Sequence, residues 1–171
     1  EGRGFFYGAS VAVRVIEEQD GWTKIEAYND RDELEQGWVK SSRIRTVTPN
    51  QTYGIIVDKM TQRLYLFHDG ELMDTLLVST GLPNDKQPYN ETRSGEFVIV
   101  RPVGDFPSGN MTCGYGMRFN NGDLLHEVPY LTNKKDGRRD YNYCEKELGK
   151  RASHGCIRVQ RRKTPNGVNM Q

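Results

Sequence analysis

The sequence lacks most of the features that assign a chain to a function class by composition alone. Its 24 Lys and Arg are matched by 23 Asp and Glu, leaving a net charge of +1. There is no cationic excess to exchange for the counterions of a nucleic acid, so none is expected as a partner. Apolar residues make up 35% of the chain and mean hydropathy is −0.77. No run approaches the ~20 apolar residues of a membrane-spanning helix. No charged and then apolar leader stands at Glu1, so the chain reads as a piece of a longer one. No internal repeat or low-complexity tract is present. The apolar content still suffices for a packed core, in one domain or two small ones across 171 residues.

Histidine and cysteine are scarce, at three residues each, which makes their positions informative. Ser153-His154-Gly155-Cys156-Ile157-Arg158 is the one place where a cysteine, a histidine and a glycine meet. A thiol is nucleophilic only as thiolate and needs a nearby base or positive surroundings. Gly155, having no Cβ, tolerates conformations and close approaches closed to other residues. His126 and His154 are the candidate bases, and His154 shares a face with Cys156 if that stretch is a strand. His68 ends a strand beside a turn and is given no role. Cys113 and Cys144 are compatible with one disulfide or with two free thiols. A zinc site from His126, His154, Cys156 and Cys144 is a rival reading, but the closely spaced ligand pairs that mark zinc are missing.

Strand periodicity dominates the rest. Alternating or apolar runs occur at 11–15, 22–28, 37–39, 53–58, 63–68, 71–79, 94–100, 113–119 and 123–128. Asp20-Gly21 and Asp69-Gly70 are hairpin turn signals, because both positions of a type I′ turn require positive φ. Asn120-Asn121-Gly122 marks another turn. The polar stretch 48–51 separates a unit at 1–47 from one at 52–171. A long hydrophilic segment, 129–151, carries Lys134-Lys135 and Arg138-Arg139, with a short helix expected at 143–150. Thr164-Pro165 announces a further helix.

Ser153-His154-Gly155-Cys156-Ile157-Arg158, together with Leu124-Leu125-His126-Glu127, closely resembles the signature of bacterial L,D-transpeptidases. Thr92-Arg93-Ser94-Gly95 resembles part of the same scaffold, although the family more often has proline where Arg93 stands. The resemblance implies a mainly β fold, a β-sandwich with short helices. It implies acyl transfer on peptidoglycan stem peptides without any metal or cofactor, and inhibition by carbapenem-type β-lactams. Cys156 would be the nucleophile and His126 the base, its imidazole steered by the Glu127 backbone carbonyl. The Gly155 and Cys156 N–H groups would form an oxyanion hole, shaped by Ser153 and His154. The Glu127 carboxylate is expected to raise the His126 pKa.

Arg158 would bind a substrate carboxylate or anchor the turn. Tyr115, Met117 and Phe119 alternate and are expected to line the acyl-donor groove, with at least one of them in the core. The family keeps its two motif histidines closer than here, where His126 lies 27 positions before Ser153, and the surplus reads as an insertion over the cleft. The family also continues past Gln171, and it works outside the cytoplasm. Gly37-Trp38-Val39-Lys40 followed by Ser41-Ser42-Arg43-Ile44 resembles the close of a bacterial Src-homology-type small barrel, with Trp22 and Trp38 as its core. A wall-binding protein without catalysis and an L,D-carboxypeptidase are the alternatives.

Overall fold

The computed structural model describes residues 13–29, 33–120 and 122–171. The first three strands are β1 (Arg14–Gln19), β2 (Trp22–Tyr28) and β3 (Leu34–Lys40), forming one antiparallel sheet in the order β1-β2-β3. Asp20 and Gly21 both have positive φ, 49° and 78°, and this turn pairs Gln19 with Trp22. The turn therefore sets the register, and β1 runs later than the 11–15 alternation predicts; Val11 and Ala12 lie outside the described residues. Lys24 pairs with Trp38, so Trp22, Lys24, Trp38 and Lys40 share one face. Trp22 and Trp38 are 45% and 44% exposed. Among the described residues these strands form a three-stranded sheet with both tryptophans partly exposed on one face.

Asn50 begins the second unit by accepting the N–H groups of Thr52 and Tyr53 through its side-chain Oδ1. There follow β4 (Tyr53–Asp58), β5 (Arg63–His68), β6 (Glu71–Ser79), β7 (Arg101–Ser108), β8 (Met111–Arg118), β9 (Leu124–Glu127), β10 (Leu131–Thr132), β11 (Arg139–Asp140), α1 (Asn142–Glu145) and β12 (Ile157–Val159). Asp69 and Gly70 turn β5 into β6 at φ 48° and 82°, the type I′ geometry that Asp-Gly favours. Seven strands form the main sheet in the order β4-β5-β6-β12-β9-β8-β7, and β10 pairs with β11 alone. Every neighbour in the main sheet is antiparallel except β9 and β12, which run parallel.

The expected strand at 94–100 does not form; the strand paired with β8 is β7, which begins at Arg101. A tight turn at Gly109 and Asn110 pairs Ser108 with Met111 and so dictates which residues meet β8. Pro102 and Pro107 disguise β7 in the sequence. They are tolerated because β7 is the edge of the sheet, where a missing N–H leaves no ladder bond unmade. Phe97, from the expected strand, instead packs edge-on against Phe119 at 5.3 Å. No helix starts at Thr164. Its hydroxyl donates to Asp74 and accepts the Val168 N–H, closing a turn in which Gly167 takes φ 85°. The helix expected at 143–150 is the four-residue α1, which begins at Asn142.

One face of the sheet carries the core: Leu64, Leu76, Val78, Phe119, Leu125, Ile157 and Val159, with Met117 packed against them. Since successive strand residues point to opposite faces, the neighbours Leu124, His126 and Arg158 belong to the other face.

Candidate active site

The parallel pair β9–β12 builds the site. Ile157 lies opposite Leu125 and Arg158 opposite His126. Cys156 immediately precedes β12, two positions from Arg158, the residue opposite His126. Two parallel strands need a crossover of a dozen or more residues, and segment 128–156 supplies it. It pairs Tyr130 with Thr112 and then folds into the β10–β11 hairpin and α1. The surplus in the spacing is thus ordered structure that closes the crossover.

His126 is 3% exposed, and its Nδ1 lies 2.6 Å from the Glu127 carbonyl oxygen. A carbonyl only accepts, so Nδ1 carries the proton and Nε2 presents its lone pair. Burial, aided by the positive charge of Arg158, pushes the His126 pKa down to about 4, against the upward pull of that carbonyl. This corrects the expectation for Glu127: it acts on His126 through its backbone. Its carboxylate, on the opposite face, takes the Tyr141 hydroxyl at 3.2 Å and is itself raised by burial.

Burial likewise pushes the Cys156 thiol up to about 11, opposed by a backbone hydrogen bond from Leu124. At neutral pH both partners are therefore uncharged. The Phe106 ring meets the His126 ring edge-on at 5.3 Å. It reaches across β8 at Gly116, where a Cβ would lie 2.8 Å from that ring.

The turn before Cys156 is held at each peptide. Ser153 donates its N–H to the Thr80 carbonyl and accepts the Leu82 N–H at its own carbonyl. The Ser153 hydroxyl donates to the Cys156 carbonyl and accepts the Gly155 N–H at 3.3 Å. The Gly155 N–H, expected as an oxyanion donor, is thus directed at Ser153. Gly155 has φ 119°, and a Cβ on it would stand 2.7 Å from Asp123 Oδ1. His154 is exposed, and because β12 begins only at Ile157, the strand argument that placed it beside Cys156 does not apply.

Arg158 is buried at 7% exposure and pairs with Glu147 of the crossover at 2.7 Å. Replacing Glu147 by Gln should leave this buried guanidinium without its counter-charge, at a cost on the order of 3 kcal/mol. A lower urea midpoint with an unchanged slope would register it; an unchanged midpoint would show that the pair adds nothing.

Phe119 and Met117 face the core rather than a groove, because Met117 pairs with Leu125 and shares its face. Tyr115 is partly exposed at φ 55°, with its N–H on Asp105. Cys113, Cys144 and Cys156 are all free thiols; Cys144 lies against Met111 Sδ at 3.7 Å. Among the described residues no cluster of three or more His, Cys, Asp or Glu is arranged to hold a metal ion. The sequence reading passed over Thr92, Phe106, Asp123 and Glu147. Only Thr92 had a signal there, as the first residue of Thr92-Arg93-Ser94-Gly95.

The site thus joins a partly buried cysteine just before β12 to a buried histidine on the adjoining β9, whose imidazole is held by a backbone carbonyl. The family model for the YkuD L,D-transpeptidase catalytic domain matches residues 52–166, and the chain belongs to that family. Among solved structures, an L,D-transpeptidase from Mycobacterium smegmatis is 17% identical, with a TM-score of 0.49 over 91% of this chain and 71% of that one. Comparison with curated proteins gives no match.

Proposed function

We propose that this L,D-transpeptidase works through a Cys156 thioester on peptidoglycan tetrapeptide stems. The carrying observation is the His126 Nδ1 contact with the Glu127 carbonyl at 2.6 Å, which leaves Nε2 as a proton acceptor beside β12, the strand that follows Cys156. Because both groups rest neutral, the proton leaves sulfur as sulfur attacks. Nε2 takes the thiol proton while Sγ bonds to the carbonyl carbon of the residue preceding the terminal D-alanine. The carbonyl electrons move to oxygen, where the Cys156 N–H stabilises them; one such donor is typically worth ~3 kcal/mol of barrier. On collapse, the imidazolium gives its proton to the departing D-alanine amine and the thioester remains. An amine of a neighbouring stem then attacks it, returning the thiol and completing the cross-link.

We assign the catalytic domain to 52–171 and an accessory unit to 1–47 joined by 48–51. The substrate places the enzyme outside the cytoplasmic membrane. The test is intact-protein mass after mixing with a purified disaccharide-tetrapeptide, with Cys156→Ala as control. A covalent adduct or D-alanine release, absent in the variant, supports the reading. Dimeric product marks a transpeptidase and hydrolysed stem a carboxypeptidase. No adduct and no turnover would leave a wall-binding role as the better account.

A further inference from the structure

Thr92 stands far from His126 and Cys156 in sequence, yet its side chain ends on the turn that carries the nucleophile. It is 2% exposed. Its Oγ1 accepts the Gly81 N–H at 2.7 Å and donates to the Gly155 carbonyl oxygen at 2.7 Å. A hydroxyl has a single proton to donate. With the Gly81 N–H occupying a lone pair, that proton is committed to Gly155.

The Gly155 carbonyl and the Cys156 N–H are the two ends of one peptide unit. That unit is planar and trans, so its C=O and N–H point in opposite directions and rotate together. Holding the carbonyl oxygen holds the N–H. The Ser153 hydroxyl instead binds the two flanking peptides, donating to the Cys156 carbonyl and accepting the Gly155 N–H. Gly155 at φ 119° has the most backbone freedom in the turn, and it is where restraint is needed. The hydrogen bond also draws electron density toward the carbonyl oxygen, which makes the N–H of the same unit a better donor.

We infer that Thr92 is a positioning residue whose hydroxyl aims the Cys156 N–H at the oxygen of the acyl group under attack. The inference rests on Cys156 being the acylated nucleophile. The supporting frame is rigid. A Cβ on Gly81 would lie 1.8 Å from the Asn90 carbonyl oxygen, so Gly81 and the segment leading to Thr92 touch backbone to backbone. Lys59 holds the next carbonyl, donating to the Thr92 oxygen at 2.7 Å and to Glu91 at 2.8 Å.

Thr92→Val keeps the shape and removes the hydroxyl, whereas Thr92→Ser keeps the hydroxyl. With the disaccharide-tetrapeptide, Thr92→Val should lower the acylation rate about 100-fold, the scale of a small misplacement of reacting groups, with KM little changed. Alkylation of Cys156 by iodoacetamide needs the thiol but no oxyanion donor, so it should stay within about twofold of wild type. Thr92→Ser should restore acylation. Wild-type acylation by Thr92→Val overturns the inference, and so does a parallel loss of acylation and alkylation, which would mark a merely structural residue.

The 15N–1H shift of the Cys156 amide reads the same peptide without substrate. It should move in Thr92→Val and return in Thr92→Ser; an unmoved shift also overturns the inference. Failure of the wild type itself to acylate would remove the proposed thioester, while the amide shift would still decide the role of Thr92.

Discussion

His126→Asn is expected to fold and to lose about two to four orders of magnitude in acylation rate, the usual worth of a positioned general base. The Asn amide can still donate to the Glu127 carbonyl, so the buried hydrogen bond survives while the proton acceptor is lost. The pH dependence carries the same signature. With the His126 pKa near 4 and that of Cys156 near 11, kcat/KM should hold level across the neutral range and fall only as pH approaches 4. An acid limb near 6.5, the ordinary histidine value, would show that burial does not depress the His126 pKa.

Stability should follow the same group. Below the unfolded-state pKa the unfolded chain binds a proton that native His126 refuses, so stability falls as pH drops from about 6.5 toward 4. Below the native value this contribution stops changing. His126→Asn should remove that slope from a urea-midpoint series; an identical slope in both proteins would show that the imidazole is not buried neutral.

Gly155→Ala should be nearly as damaging for a different reason. Its φ of 119° is one that L side chains rarely adopt, and the new Cβ would lie 2.7 Å from Asp123 Oδ1 and 3.8 Å from the Glu91 carbonyl. The strained backbone alone costs about 1–3 kcal/mol. Relief requires the turn to rotate, which moves the Cys156 N–H and thiol together, and a displacement on that scale costs about 100-fold in rate. Steady-state turnover beside a thermal melt would separate the two effects. Wild-type turnover in Gly155→Ala would show that this turn has room to spare.

The strands and turns were legible wherever the information is local. Both Asp-Gly pairs adopt the positive φ values their side chains and missing Cβ favour, and 53–58, 63–68 and 71–79 became β4, β5 and β6 as read. Local reading failed where a distant turn set the register. β7 is hidden behind Pro102 and Pro107, and the 94–100 run beside it forms no strand. It failed again at Thr164, where a cap residue bonds to Asp74, 90 positions away, and no helix follows.

By itself the sequence determined the alphabet of the site: the scarce Cys156 and His126, the Gly155 that the turn demands, and the family string that joins them. Tertiary structure decided the rest, because alternation states that two residues share a face and never which face is buried. Met117 and Phe119 went to the core, and His126 went to the opposite side, by the pairing of β8 with β9 and β9 with β12. The parallel pairing set Arg158 opposite His126, and it required the long crossover whose Glu147 neutralises Arg158. Thr92 acquired its place only when the chain brought it 63 positions across to Gly155. Such contacts follow from packing and strand order, which no window of neighbouring residues contains.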